Sequence, residues 1–146
     1  MLEEQFHFQL LKCFNQQKRW INQRTTQIGV LPGQSKVLQC LYEYGPLSPK
    51  EIGNICIIDK STTTSLLNKM EKMKYIKKEN QNHDKRSIQI TLTQLGQEKA
   101  KLVKEICKES DEVMLKKIPK EKRKDMIQLL QLMNQEESGE TDGNSK

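Results

Sequence analysis

The 146-residue chain is short of several things at once. It has no run of about eighteen apolar residues, so no membrane-crossing helix and no membrane partner are expected. Its four cysteines (Cys13, Cys40, Cys56, Cys107) include no Cys-x-x-Cys pair, and there are only two histidines. That argues against a structural zinc site, a disulfide framework and a His-rich metal centre; buried, reduced thiols, with no metal and no cofactor, are the expectation. No glycine-rich phosphate loop, nucleophile motif or metal-ligand cluster is found, so an enzyme is not expected. Aromatics are scarce at 5%, and hydrophobic residues make up 34% against 30% charged. Such a lean chain with strong amphipathic periods points to helices that bury a stripe against a second copy. The opening "MLEEQFHFQLLKCF" is acidic and helix-like and lacks the basic region of a secretory signal, which makes the cytoplasm the expected location.

What the chain has is positive charge in one place. Net charge is +6, yet residues 60–86 alone hold eight bases against three acids, while the tail from Glu136 onward contributes −3. Charge gathered this way points to a polyanionic partner rather than to general solubility.

The periodicities predict a nearly all-helical chain. A long helix is expected over residues 3–28, ended at Gly29. A second covers 31–45, with Pro32 in its first turn, Val37, Leu38 and Leu41 on one face and Gly45 as its cap. "SPKE" at 48–51 reads as a capping box opening a short third helix with Ile52 and Ile55 facing inward. Asp59 is placed to cap the next. After Tyr75 the period changes: "YIKKENQ" and "SIQITLT" flank a polar loop, and Ile88, Ile90 and Leu92 alternate with polar residues as a half-buried strand requires. This hairpin is too small to stand alone and must lean on the helices. Thr93 caps a long helix reaching about Lys117, with Leu95, Leu102, Val103, Ile106, Val113 and Met114, and Pro119 opens a last one. Residues 137–146 have no apolar side chain and are expected to be a disordered tail.

The helix after Asp59, "KSTTTSLLNKMEK", carries three adjacent threonines, a mediocre choice for a helix interior. A helical wheel sorts it. Thr63, Leu66, Leu67, Met70 and Met73 share one side. Ser61, Thr64, Ser65, Asn68 and Lys72 share the other, flanked by Lys60, Thr62 and Lys69. Short hydroxyls allow close approach to base edges, and lysines and a helix N-terminus hold phosphates, so this face suits the major groove of double-stranded DNA. With the short helix before it, the segment completes a helix-turn-helix. A following hairpin with Asp84, Lys85 and Arg86 at its tip makes a winged helix: Arg86 can enter a minor groove, and Asp84 can hold it or a neighbouring base.

The stretch "DKSTTTSLLNKMEKMKYIKKENQNHDKRSIQITLTQLGQEKAK" resembles the core of the MarR family of bacterial transcriptional regulators. Asp84-Lys85-Arg86 matches the family's Asp-x-Arg wing, and Leu92-Thr93-Gln94-Leu95-Gly96 its LT-x-x-G entry into the next helix. The order of elements agrees from about residue 5 to 135. The resemblance implies a mainly α fold with a small two-stranded β-wing. Residues 1–30 and 94–136 would be dimerisation helices and 31–93 the winged helix-turn-helix. It implies a homodimer that binds a pseudo-palindromic operator, most often as a repressor, with release by a small-molecule effector in many members. Arg19, Trp20 and Arg24 are the candidate effector residues. Many relatives place arginine where this chain has Ser65, which points to softer, shape-dependent readout. Redox-sensing members carry a reactive cysteine near the start of the first helix; Cys13 lies further along. A protein-binding winged helix without specific DNA binding is the alternative, distinguished by a lack of salt dependence.

Overall fold

The computed structural model of the chain describes residues 1–80 and 87–135. Six α-helices and one hairpin follow in order: α1 Phe6–Thr25, α2 Gln34–Tyr44, α3 Pro49–Cys56, α4 Lys60–Lys72, β1 Ile76–Asn80, β2 Ile88–Leu92, α5 Gln94–Met114 and α6 Lys120–Met133. Short 3-10 turns at Leu2–Glu4 and Thr26–Ile28 flank α1. The chain divides into two compact units, Met1–Asp111 and Glu112 onward. Among the described residues no helix is long and apolar enough to cross a membrane.

Local chemistry explains the boundaries. Pro32 does not lie in the first turn of α2; the helix starts at Gln34 because Gly33 sits at φ 89°, outside any right-handed helix. The chain turns there instead, and Gln34 Oε1 accepts the Leu31 N–H at 2.9 Å. The expected capping box at α3 is present: Ser48 Oγ accepts from Glu51 N at 3.1 Å and Glu51 Oε1 accepts from Ser48 N at 3.0 Å. Ile57 then adopts φ 55°, an unusual state for a β-branched residue, and the Ile58 N–H closes the turn onto the Gly53 carbonyl at 2.9 Å. A Cβ on Gly53 would press on Thr63 Oγ1 and the Ile58 carbonyl, so glycine here permits the close approach of α3 and α4. Ile55 was expected inside with Ile52 but is 46% exposed. On so short a helix the inner stripe runs from Ile52 to Cys56, four residues on, and leaves Ile55 to one side.

The core gathers Val37, Leu38 and Leu41 of α2, Ile52 of α3, Leu67 and Met70 of α4, Ile76 and Ile90 of the hairpin, and Ala100 and Val103 of α5. The hairpin is antiparallel with Ile76 opposite Leu92 and Lys78 opposite Ile90. Leu47 adds a third, one-residue rung to it: Ile90 N–H donates to the Leu47 carbonyl at 2.7 Å and Leu47 N–H to the Ile90 carbonyl at 3.2 Å. The strand alternation is softer than expected, since only Ile90 is fully buried while Ile88 and Leu92 are half-buried.

Tyr75 is the joint. Its carbonyl accepts the Thr93 N–H at 3.0 Å, and its hydroxyl donates to the Gly29 carbonyl at 2.6 Å. Thr93 Oγ1 donates to the Lys74 carbonyl at 2.6 Å and accepts the Gly96 N–H at 3.0 Å, capping α5. Gly96 packs so tightly on the Tyr75 carbonyl that any Cβ would overlap its oxygen. The LT-x-x-G signature thus has a packing cause.

α5 ends at Met114 rather than near Lys117, and Leu95, Leu102 and Val113 on it are 40%, 46% and 54% exposed. Cys13 is exposed, against the expectation of buried thiols, because it lies on a solvent-facing part of α1; Cys40 is buried, Cys56 and Cys107 are half-buried, and all four are free. The tail expected at 137–146 lies outside the described residues.

Gly96→Ala is expected to destabilise the fold by about 1–3 kcal/mol, the usual cost of overpacking a rigid neighbour. Urea unfolding measures it; an unchanged midpoint would show that the junction yields freely.

Candidate nucleic-acid interface

The helix-turn-helix presents α4 with its apolar side inward. Thr63, Leu67 and Met70 are buried and Leu66 and Met73 half-buried, while Lys60, Ser61, Thr62, Thr64, Ser65, Asn68, Lys69 and Lys72 are all exposed. The wheel read from the sequence therefore sorts these side chains as the folded helix does.

Asp59 organises the start of α4. Its Oδ1 accepts the Thr62 N–H at 2.7 Å and the Ser61 hydroxyl at 2.9 Å, and its Oδ2 accepts the Thr62 hydroxyl at 3.0 Å. The Thr62 backbone bond, followed by the two hydroxyls, holds this carboxyl below the usual carboxylate range. The helix N-terminus was expected to help hold phosphate. Asp59 takes the Thr62 N–H of that first turn, and Lys60, Lys69 and Lys72 add exposed ammonium groups along the same helix. Thr63 and Thr64 each donate their hydroxyl one turn back, to the Asp59 and Lys60 carbonyls at 2.8 and 2.9 Å.

Further along, Lys78 of β1 reaches α4, donating to Asn68 Oδ1 at 2.6 Å and lying 3.7 Å from Glu71. The wing-tip candidates Asp84, Lys85 and Arg86 lie outside the described residues.

Arg19, Trp20 and Arg24, the candidate effector residues, line none of the four main clefts among the described residues. Arg24 stacks on the Trp20 ring at 3.5 Å and donates to the Trp20 carbonyl at 3.0 Å, and Arg19 is exposed beside them. A cleft of about 630 Å³ lies elsewhere, lined by Phe14 of α1, Lys36, Cys40 and Tyr42 of α2, Cys56 of α3 and Lys104 of α5, among others. Lys104 lies 5.6 Å from the centre of the Tyr42 ring. Burial, reinforced by the neighbouring Cys56 thiol, pushes Cys40 up to about 12. Burial also raises Cys56, against the pull of its hydrogen bond with Cys40. Both thiols are held protonated and are poor nucleophiles. Sequence reasoning missed this cleft because its walls come from four helices with no local motif joining them. Among the described residues no group of three or more His, Cys, Asp or Glu is placed to hold a metal ion.

By architecture the chain is a winged helix-turn-helix protein. Residues 32–88 match the sequence model of the MarR family. It is 26% identical over 94 residues to the HTH-type transcriptional regulator YwhA of Bacillus subtilis, covering 64% of this chain and 68% of that one. It is 34% identical over 62 residues to the HTH-type transcriptional regulator SarZ of Staphylococcus epidermidis, covering 42% of each, so that match spans under half of the relative's length. In three dimensions it is similar to a MarR-family transcriptional regulator from Listeria monocytogenes solved with a 26-mer DNA, with a TM-score of 0.83 at 18% identity over 88% of this chain and 86% of that one. It is also similar to Bordetella bronchiseptica BpsR, whose DNA binding is regulated by 6-hydroxynicotinic acid, with a TM-score of 0.78 at 18% identity over 92% and 96%.

The Asp59 cap has a pH signature. A carboxyl depressed on folding stabilises the native state above its ordinary value, and that contribution disappears as pH falls through the depressed one. Asp59→Ala should melt below the wild type at neutral pH, and the gap should close on acidification. Thermal melts over the acid range check this; a gap independent of pH would show that the ionised carboxylate is not its source.

Proposed function

We propose that the chain is a homodimeric, sequence-specific DNA-binding transcriptional regulator acting in the cytoplasm, with residues 31–93 as its DNA-binding region. One observation carries the reading: α4 buries its apolar side and exposes a continuous face of hydroxyls, amide and lysines. Short neutral groups near bases with cations beside them is the division of labour that groove recognition requires. The fold is shared with a Listeria protein solved on DNA, which supports the same use of α4 here. Arg86, Lys85 and Asp84 complete the reading as the wing that meets the adjacent minor groove.

Dimerisation is supported by apolar surface in both units. On α1, Phe6, Leu10, Leu11 and Phe14 are 47–60% exposed. On α6, Met126, Ile127, Leu129, Leu130, Leu132 and Met133 all lie at 36% exposure or more. Contiguous apolar faces of this kind mark an interface, and a second copy can cover them by two-fold symmetry. Residues 1–30 and 94–136 are accordingly the dimerisation segments. Two α4 helices then address a pseudo-palindrome with half-sites about one duplex turn apart.

Repression released by a small molecule is the regulatory mode that fits best. BpsR responds to an aromatic acid. Here the cleft bounded by Phe14, Tyr42, Lys36 and Lys104 offers rings and ammonium groups to such a ligand, with Arg19, Trp20 and Arg24 the alternative seat.

Binding to selected duplexes should weaken steeply with salt. Lys69→Ala and Lys72→Ala should each lower the slope of log K against log salt by roughly one. Fluorescence anisotropy over a salt series measures this. Affinity insensitive to salt would instead favour a winged helix that binds protein.

A further inference from the structure

Hydrogen-bond polarity on the outer face of α4 is fixed, because several of the partners can play only one role. Ionised carboxylates and carbonyl oxygens have no proton to give. Ser61 and Thr62 therefore direct their hydroxyl protons at Asp59, and Thr64 directs its own at the Lys60 carbonyl. These three side chains offer an incoming duplex lone pairs and, for the threonines, a methyl. Asn68 is the reverse. An ammonium only donates, so the amide atom 2.6 Å from Lys78 Nζ is the oxygen, and the NH2 is the group left to face outward. Glu71, one turn further along α4, lies 3.7 Å from the same ammonium and helps to seat it.

We propose that Lys78, a strand residue, is a specificity-determining residue that orients Asn68 to meet base edges with its NH2 foremost. The inference rests on the DNA-binding function proposed above. An unrestrained asparagine pairs with adenine through both ends of its amide, accepting from N6 and donating to N7. With its oxygen turned to Lys78, Asn68 leads with its NH2, and the second lone pair on that oxygen is directed away from the place where adenine N6 would donate. Its NH2 is matched instead to N7 and O6 of guanine, both acceptors. The operator position read by Asn68 is therefore guanine in preference to adenine, and Lys78, which need not touch a base, sets that choice.

Selection from random duplexes with wild type, Asn68→Ala, Lys78→Met and Lys78→Arg tests this. The position in question is the one whose preference collapses in Asn68→Ala. The wild type should favour guanine there. Lys78→Met should move the preference toward adenine by roughly fivefold or more, the lower end of what a bidentate pair discriminates, with other positions unchanged. Lys78→Arg, also a pure donor, should restore guanine. Adenine favoured by the wild type, or an unaltered preference in Lys78→Met, overturns the proposal. So does a salt slope lowered by about one in Lys78→Met with base preferences intact, which would make Lys78 a phosphate contact. A second measurement needs no DNA. In the free ¹⁵N-labelled protein the Asn68 side-chain amide signals should shift in Lys78→Met, and signals that stay in place overturn the inference alone. A wild type with no sequence preference on any duplex would overturn the regulator reading, and this inference with it.

Discussion

The carbonyl of Tyr75 is the point on which the rest of the molecule's arrangement depends. A buried backbone acceptor must be paired, and this one takes the Thr93 N–H as the chain leaves β2. Gly96 rests directly against it, where no other residue has room. The same tyrosine's hydroxyl reaches the Gly29 carbonyl beyond α1. The end of α4, both strands, the start of α5 and the turn after α1 are thereby fixed at one place. β1 leaves this joint alongside α4, and Lys78 on it lies within hydrogen-bond reach of Asn68.

The threonine run on α4 then makes physical sense. β-branched residues lower helix propensity by a few tenths of a kcal/mol each. Here each threonine has a separate local use. Thr62 bonds the capping carboxylate, Thr63 fills the narrow gap beside Gly53, and Thr64 bonds back to the Lys60 carbonyl. On the outer face, the Ser61, Thr62 and Thr64 hydroxyls therefore have their protons engaged before any partner arrives. In the proposed function that face would meet DNA with its hydrogen-bond polarity already set, which favours discrimination over generic stickiness.

Much of this was legible in the sequence where the signal is local. The capping box at Ser48, the Asp59 cap, the inner and outer faces of α4 and the two strands each depend on residues a few positions apart. What depends on distant partners was not. Pro32 looked like a helix start because proline suits one, but the left-handed Gly33 after it decided the turn. The Leu47 rung on Ile90 has no alternating run to announce it. Ile55 looked like core by its hydrophobicity alone, yet an eight-residue helix has too few turns to bury two stripes. The cleft between four helices, and the role of Lys78, needed the tertiary arrangement that Tyr75 fixes. The exposed apolar faces of α1 and α6 were anticipated from the lean composition, since a short chain with such stripes lacks the interior to hide them.

The central claim is that two copies of the α4 face address one duplex together. Hydroxyl-radical footprinting on a selected duplex tests it most directly. Two symmetric protected tracts, their centres about one duplex turn apart, are the predicted result. A single unpaired tract, or uniform cleavage at low ionic strength, would contradict it.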